Sequence, residues 1–462
     1  MKLLIEASYF LAMMSFIIGL KYLSSPQKAR LGNSIAGAGM TLAIIMTVVG
    51  TFFETPININ LVLIGIAIIT GVIVGKRMSN RAEMTKMPQL VSYFNAMGGG
   101  CALLLGIIEG QQIIPGENRT FEVILLTAMM IGAISFSGSI IAYLKLGGKQ
   151  KDVRSLQLTV FSRILLINII AIPILVSFGI LDLSLLQEIL ILAALSILYG
   201  SIFVLPIGGA DMPVVISLLN SLTGVATALA GIMFGNLLMI SGGIFVGSAG
   251  VLLTLLMCKA MNRSIWAVLS GNFKKAGAIE DLDIEINRTT IGEVATSLIC
   301  ANKVAIIPGY GMAVAQAQYL CGQLESILEK NDTVVDYIIH PVAGRMPGHM
   351  NVLLAEADIH YDKLKEMDEV NDAMHTYDVT IIIGANDVVN PAAEKDENSP
   401  IYGMPIIKAY NSKQVVVIKR GMSKGYAGVE NALFGYPNCQ LLFSDAKVAL
   451  GEIINELKNL EE

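Results

Sequence analysis

Residues Lys303-Val-Ala-Ile-Ile-Pro-Gly-Tyr-Gly-Met-Ala-Val314 predict a buried strand, a Gly309-x-Gly311 turn and the start of a helix. Such a turn suits phosphate chemistry, because glycines let backbone N–H groups and the helix start approach a pyrophosphate that a Cβ would hold away. Val314 replaces the third glycine of the usual fingerprint, so Gly309, Tyr310, Gly311, Met312, Ala313 and Val314 equally suit a plain strand-to-helix turn. A second group is Lys419-Arg420, which follows another apolar run and precedes Gly421-Met-Ser-Lys-Gly425-Tyr426-Ala-Gly428. The pair fits either a solvated strand end or a flexible loop that grips a phosphate and closes over a ligand. A third is Gly384-Ala-Asn386-Asp387-Val-Val-Asn390, in which Asp387 is either a turn residue or a coupling carboxylate. The segment His340-Pro-Val-Ala-Gly-Arg345 ends a further run without a carboxylate. An ordinary NAD site places an acid there for the ribose 2′-hydroxyl, so its absence points to NADP.

The elements that must position these residues are short β-branched runs at 303–308, 333–340, 378–384, 414–418 and 440–443. They alternate with helical stretches such as 312–330 and 363–375, the pattern of a doubly wound parallel sheet. Sites in such sheets lie at the carboxyl ends of the strands, where all three groups fall. This domain is expected over 291–462, after a polar and acidic linker at 263–290.

Residues 1–262 read differently. The whole chain has 462 residues, a mean hydropathy of +0.65, 54% hydrophobic residues and only 15% charged ones, too apolar for a soluble protein of this length. Nine apolar segments stand near 3–20, 33–53, 57–75, 87–108, 123–144, 160–181, 186–207, 212–234 and 237–258. The uncharged stretch from Met212 to Cys258 would reach about 70 Å as one helix, roughly twice a ~30 Å hydrocarbon core, so it must turn, at Gly235-Asn236. Basic residues crowd alternate loops: Lys21, Lys28 and Arg30; Lys76, Arg77, Arg81 and Lys86; Lys145, Lys149, Lys151 and Arg154. The positive-inside rule then puts the N-terminus outside and the C-terminal domain in the cytoplasm.

A net charge of −5 without a long basic run excludes nucleic acid as a partner. Five scattered cysteines without CxxC spacing give neither a disulfide framework nor a metal site. All four histidines lie in the soluble half, which excludes a bis-histidine haem across the bilayer. Within the spans, Asp211-Met-Pro213 leads into Ser217, Asn220, Ser221, Gly224, Thr227 and Gly231 at helical spacing. This stripe is either a capping aspartate with a close-packing face or a hydrated path lined by a carboxylate and an amide.

Taken together, these segments closely resemble the beta-subunit family of proton-translocating NAD(P) transhydrogenases over essentially the whole chain. The resemblance is carried by Ala210-Asp-Met-Pro-Val-Val215, Met257-Cys-Lys-Ala-Met-Asn-Arg-Ser264, Pro308 to Gln318, His340 to Arg345, Gly348 to Glu356, Gly384-Ala-Asn-Asp387 and Gly425-Tyr-Ala-Gly-Val429. It implies a polytopic α-helical membrane domain of about nine transmembrane helices followed by a soluble α/β Rossmann-like NADP-binding domain. The implied activity is Re/Si-specific direct hydride transfer from NADH to NADP without flavin, coupled to inward proton movement. NADP(H) would bind this chain and NAD(H) a partner alpha subunit. The implied assembly is a homodimer of alpha–beta units in the lipid bilayer of the bacterial cytoplasmic (inner) membrane. Gly309, Gly311, Ala313 and Val314 match the dinucleotide turn, and Arg345 matches a pyrophosphate contact. Asp387 matches a coupling aspartate, Lys419 and Arg420 the 2′-phosphate cations, and Tyr426, beside Gly425, a lid. Gly421 stands where a serine often follows the cations. Asn95 stands where many members carry a histidine in the fourth span, leaving Asp211, Asn220, Asn95 and water, with a partner's ionisable group, for the proton. The competing reading is a transporter or channel whose soluble domain only senses NADP.

Overall fold

The computed structural model describes all residues except Met1, 24–25, 55–58, 82–85, 114–118, 151–152, 154, 209–210, 263, 266–284, 345–347, 400, 426 and 462. Arg345, Tyr426 and most of the linker at 263–290 therefore lie outside the described residues. The chain divides into two compact units, Met1–Thr254 and Leu255–Glu462.

Among the described residues the first unit contains nine helices long and apolar enough to cross a membrane. They are α1 (Lys2–Leu23), α2 (Pro26–Glu54), α3 (Ile59–Arg81), α4 (Met87–Gly110), α5 (Arg119–Leu146), α6 (Leu156–Ser177), α7 (Leu185–Val204), α8 (Met212–Met233) and α9 (Leu237–Ala260). The break between α8 and α9 falls at Gly235, with φ +58°, followed by Asn236, whose Oδ1 accepts the N–H groups of Leu238 and Met239 at 3.0 and 3.2 Å. Helix α5 is the hub, packing against α4, α7 and α8, while α1 and α2 form a separate pair. Small residues let the backbones meet. A Cβ on Gly99 of α4 would stand 2.8 Å from Gly132 O of α5, and one on Gly224 of α8 would stand 2.4 Å from Gly247 N of α9.

In the second unit a capping box at Thr290 and Glu293 starts α10 (Ile291–Ile299). Six parallel strands follow: β1 (Lys303–Pro308), β2 (Val334–Ile339), β3 (Leu364–Glu366), β4 (Val379–Ile383), β5 (Gln414–Lys419) and β6 (Cys439–Phe443). Their order is β3-β2-β1-β4-β5-β6, which reverses between β1 and β4. That is the doubly wound order of dinucleotide-binding sheets, with its switch point at β1/β4. The central strands are covered on both faces and correspondingly rich in Val and Ile.

Helices α11 (Tyr310–Ala315), α12 (Gln318–Lys330), α13 (His349–Glu356), α14 (Met367–Val370), α15 (Ala392–Lys395) and α16 (Ala446–Glu461) connect and flank the strands. Two sequence expectations change. The stretch 312–330 is broken at Gln316, in the left-handed region at φ 51°, and 363–375 is not one helix. Leu364–Glu366 instead pairs with β2 as a sixth strand, with Tyr337 opposite Leu364, before α14 and a 3₁₀ turn at Asn371–Thr376. Three residues without β-branching leave too little pattern to distinguish a short edge strand from a helix start.

The β1 and β4 turns touch through backbone alone. Gly311 N donates to Gly384 O at 3.0 Å, and Gly309 N to Ile383 O at 2.9 Å. A Cβ on Gly309 would lie 2.4 Å from Ala385 N, and one on Gly384, at φ +63°, would lie 2.3 Å from Gly311 Cα. Gly384→Ala combines left-handed strain with a backbone collision. It should cost the soluble unit about 2–4 kcal/mol, read as a lowered denaturation midpoint of residues 291–462 expressed alone. An unchanged midpoint would mean that the two turns part freely.

Candidate functional site

The first site is the crevice at the carboxyl ends of β1, β4 and β5. Its floor is the contact of Gly309 and Gly311 with Gly384 and Ala385, so both glycines are required by turn packing itself. Within α11, Met312 and Ala313 are buried, Tyr310 is half-buried and Val314 is 44% exposed. The loop after β5 is tied to the loop after β4 at three points. Ala427 N–H donates to Asp387 Oδ2 at 3.0 Å, Asn390 Nδ2 donates to Glu430 O at 2.9 Å, and Asn431 Nδ2 donates to Asn386 Oδ1 and O at 3.0 and 3.1 Å. Gly425 lies directly against the Asp387 carboxylate, where a Cβ would collide. Asp387 is thus both a turn residue, opening the 3₁₀ turn Asp387–Val389, and the anchor of the following loop.

Lys419 ends β5 with its ammonium 4.2 Å from the centre of the Phe434 ring and 3.5 Å from Ser423 O. Burial lowers its pKa from the ordinary lysine value, because the charged form loses water. Arg420 is exposed. Among the described residues neither cation has an acidic partner, so positive charge accumulates beside the crevice without internal compensation.

His340, after β2, is 2% exposed. Its Nδ1 accepts the N–H of Val342 at 3.2 Å, which leaves Nε2–H to donate to Pro405 O at 2.8 Å and fixes the neutral tautomer. Residues His340 to Gly344, which follow β2, include no carboxylate, while Glu366 of β3 pairs with Ile339 at the end of β2.

The second site is the polar interior of the helix bundle. Asn95 of α4, 7% exposed, donates through Nδ2 to Ser139 Oγ at 2.8 Å and Ser135 Oγ at 3.3 Å, both on α5. Ser135 Oγ is also 2.8 Å from Leu219 O and 2.5 Å from Thr223 Oγ1 on α8, and Ser92 Oγ donates to Ser139 O at 2.9 Å. Among the described residues Asn95 Oδ1 has no hydrogen-bond partner. Lys145 Nζ, at the end of α5, donates to Leu205 O at 2.9 Å and Ile207 O at 2.5 Å, closing the end of α7.

Most of the stripe on α8 follows the packing half of its two sequence readings. Ser217 Oγ and Ser221 Oγ donate to Gly250 O and Gly247 O of α9, and Gly224 and Gly231 make the close approach to that helix, so this is a packing face. Asn220 is half-buried and joins no side-chain hydrogen bond among the described residues. Asp211 is 5% exposed at the start of α8 but makes no side-chain cap, which removes the capping reading. Sequence spacing missed Ser92, Ser135, Ser139 and Thr223. Thr223 is only one residue from the chosen stripe, on the face that meets α5 rather than α9.

A profile of the family described as NAD(P) transhydrogenase beta subunit matches residues 5–456. The NAD(P) transhydrogenase subunit beta of Rhodospirillum rubrum is 40% identical over 463 aligned residues, 98% of each chain, and its counterpart from a named strain of that organism gives the same figures. The chain belongs to the NAD(P) transhydrogenase beta-subunit family. It is accordingly the membrane subunit of an NAD(P) transhydrogenase, with an alpha subunit as partner. The nine apolar helices and the single parallel-sheet unit are the architecture that this membership implies.

In this beta subunit His340 gives a pH test of the crevice wall. Burial is the main cause that lowers its pKa to about 4. An unfolded histidine titrates near 6.5, so the unfolded state binds more protons between the two values. Stability is then fully present above roughly 6.5 and lost as pH falls toward the folded value, by up to about 3 kcal/mol. Denaturation midpoints at neutral pH and at the bottom of that window should diverge, and His340→Gln should reduce the divergence. Equal pH dependence in both proteins would show that His340 does not titrate with unfolding.

Proposed function

We propose that this chain binds NADP(H) in the crevice between β1, β4 and β5 and couples hydride exchange with NAD(H) on the alpha subunit to proton movement. The observation that carries the reading is the uncompensated pair Lys419-Arg420 at the end of β5, beside the switch point of the sheet. A partly desolvated ammonium and a free guanidinium suit a phosphate dianion better than a 2′-hydroxyl. Bound nucleotide supplies the nicotinamide carbon that accepts or gives the hydride. The chain's own residues hold and enclose it. Lys419 and Arg420 grip the 2′-phosphate, and the Gly309–Gly311 turn and Gly384 form the floor. Asn386 and Asp387 anchor the loop containing Gly425, through which that loop closes. Arg345 and Tyr426 complete this reading as pyrophosphate contact and lid.

In the membrane unit we assign the proton route to Asp211, Asn95 and water, with Ser135, Ser139 and Thr223 as the hydroxyl relay and Asn220 beside it on α8. The unit spans the bacterial inner membrane with the N-terminus outside and the nucleotide domain in the cytoplasm, and two alpha–beta units pair. The transporter reading lacks a comparable supporting observation. It is tested by adding the alpha subunit: hydride transfer that appears only with both chains supports the enzyme, and solute flux without transfer supports the sensor.

Two outcomes are expected. Lys419→Ala with Arg420→Ala should weaken NADP(H) binding by about 1.5–3 kcal/mol per charge-assisted contact and leave NAD(H) binding by the complex unchanged. Equilibrium titration that finds the NADP preference intact would move selectivity elsewhere. Asp211→Asn should strongly reduce both proton uptake and energy-linked hydride transfer in proteoliposomes, since an amide cannot change protonation state. A variant pumping at the normal rate would remove Asp211 from the route.

A further inference from the structure

At one end of the bundle, the end of α3, the start of α4 and the end of α5 flank an open pocket of about 370 Å³. It is lined by Arg77, Arg81, Lys86, Gln89 and Tyr143, with Val74, Met78 and Leu90 on its apolar side. The volume lies within the roughly 300–1,000 Å³ range of small-molecule sites. Three cations converge on it, and Arg77 and Arg81 make no ion pair among the described residues. One acid, Glu83, stands in this stretch of sequence and lies outside the described residues. Tyr143 packs against Tyr93 with ring centres 5.5 Å apart, and Gly147 lies against the Gln89 side chain where a Cβ would stand 2.6 Å from Nε2. Gln89, Leu90 and Tyr143 are thus partly buried and held by packing, while Arg77, Arg81 and Lys86 reach the pocket as exposed side chains.

We propose that this pocket binds the phosphodiester headgroup of an anionic phospholipid such as phosphatidylglycerol. Guanidinium groups recognise a phosphate bidentately, and a basic pocket between helices at the membrane surface selects anionic headgroups over zwitterionic ones. The acyl chains continue along α3, which has no buried residue and presents Ile66, Ile69, Val72 and Ile73 outward, more than half exposed. An acidic protein segment would match the cations but not the apolar side of the pocket or the bare helix below it. The site is independent of the nucleotide crevice and stands whether or not the chain binds NADP(H).

The test is native mass spectrometry of the full chain, purified in the complex it forms, with added phosphatidylglycerol, phosphatidylcholine or inorganic phosphate. The expected result is one phosphatidylglycerol retained per copy of this chain, not displaced by excess inorganic phosphate, with phosphatidylcholine lost. Each neutralised cation should weaken retention about fivefold, so that Arg77→Ala with Arg81→Ala and Lys86→Ala abolishes it. Arg77→Lys with Arg81→Lys should keep most of it, and Lys28→Ala with Arg30→Ala, in another basic loop, should change nothing. Unaltered retention in the triple variant overturns the proposal. Equal loss in the Lys28/Arg30 variant reduces it to diffuse surface charge, and displacement by inorganic phosphate makes it a free-anion site; either result also overturns it. If the triple variant does not assemble, Arg81→Gln alone decides, by weakening retention about fivefold or leaving it unchanged.

Discussion

Backbone contact made possible by the absence of a Cβ is the constraint on which both units depend. In hydrocarbon there is no hydrophobic force between helices, so association rests on close packing and on hydrogen bonds across the gap. The Gly99–Gly132 crossing brings α4 onto α5, and Gly200 of α7 lies where a Cβ would meet Ile134 O of α5 at 2.4 Å. The α8–α9 pair is closed along its length by Gly224, Gly231, Gly243 and Gly250. The soluble unit applies the same device at the β1 and β4 turns. The glycines that look like a ligand fingerprint are first of all the means by which two turns share a floor.

Close backbones determine where polar groups can go. With α4, α5 and α8 in contact, one short amide on Asn95 reaches two hydroxyls on the next helix, and Ser135 reaches both a hydroxyl and a carbonyl on the third. Interhelical hydrogen bonds in membranes contribute only about 0.6 kcal/mol each on average, so this network adds little to stability. Its consequence is register. Rotating α8 by one residue would bury Ser135 without its partners, at a cost of about 1–3 kcal/mol. The polar interior therefore fixes which faces of the hub helix meet its neighbours.

Much of this was legible in the sequence, for identifiable reasons. Span number followed from run length, the α8–α9 break from an uncharged stretch too long for one crossing, and the sheet from β-branched runs whose ends held glycines and cations. Five of the six strands were visible because most of their residues are buried and apolar. The sixth, Leu364–Glu366, is an edge strand of three residues and carries no such signal. The stripe on α8 was visible as a possible close-packing face, but nothing in the sequence said which helix it meets. Spacing shows which residues share a helix face, whereas tertiary packing decides which helix that face meets. Ser92, Ser135 and Ser139 had no signal at all, since serines in an apolar helix commonly bond their own backbone, as Ser137 does to Ala133 O at 3.0 Å.

In the proton route proposed above, the same network sets a limit. Hydroxyls and an amide can pass hydrogen bonds along a chain, but none of them holds a charge at accessible pH, so the charge-bearing groups must stand at its ends. The chain provides a buried carboxylate in each direction. Asp211 is 5% exposed at the start of α8, and Glu188 is 5% exposed in the first turn of α7. Consecutive spans run in opposite directions, so these two carboxylates sit toward opposite ends of the bundle, and both helices pack on α5, which carries Ser135 and Ser139. A histidine in the middle of such a route would store the proton halfway. With Asn95 there instead, the middle of the proposed route could only relay, and control of the proton would pass to the carboxylates at its two ends.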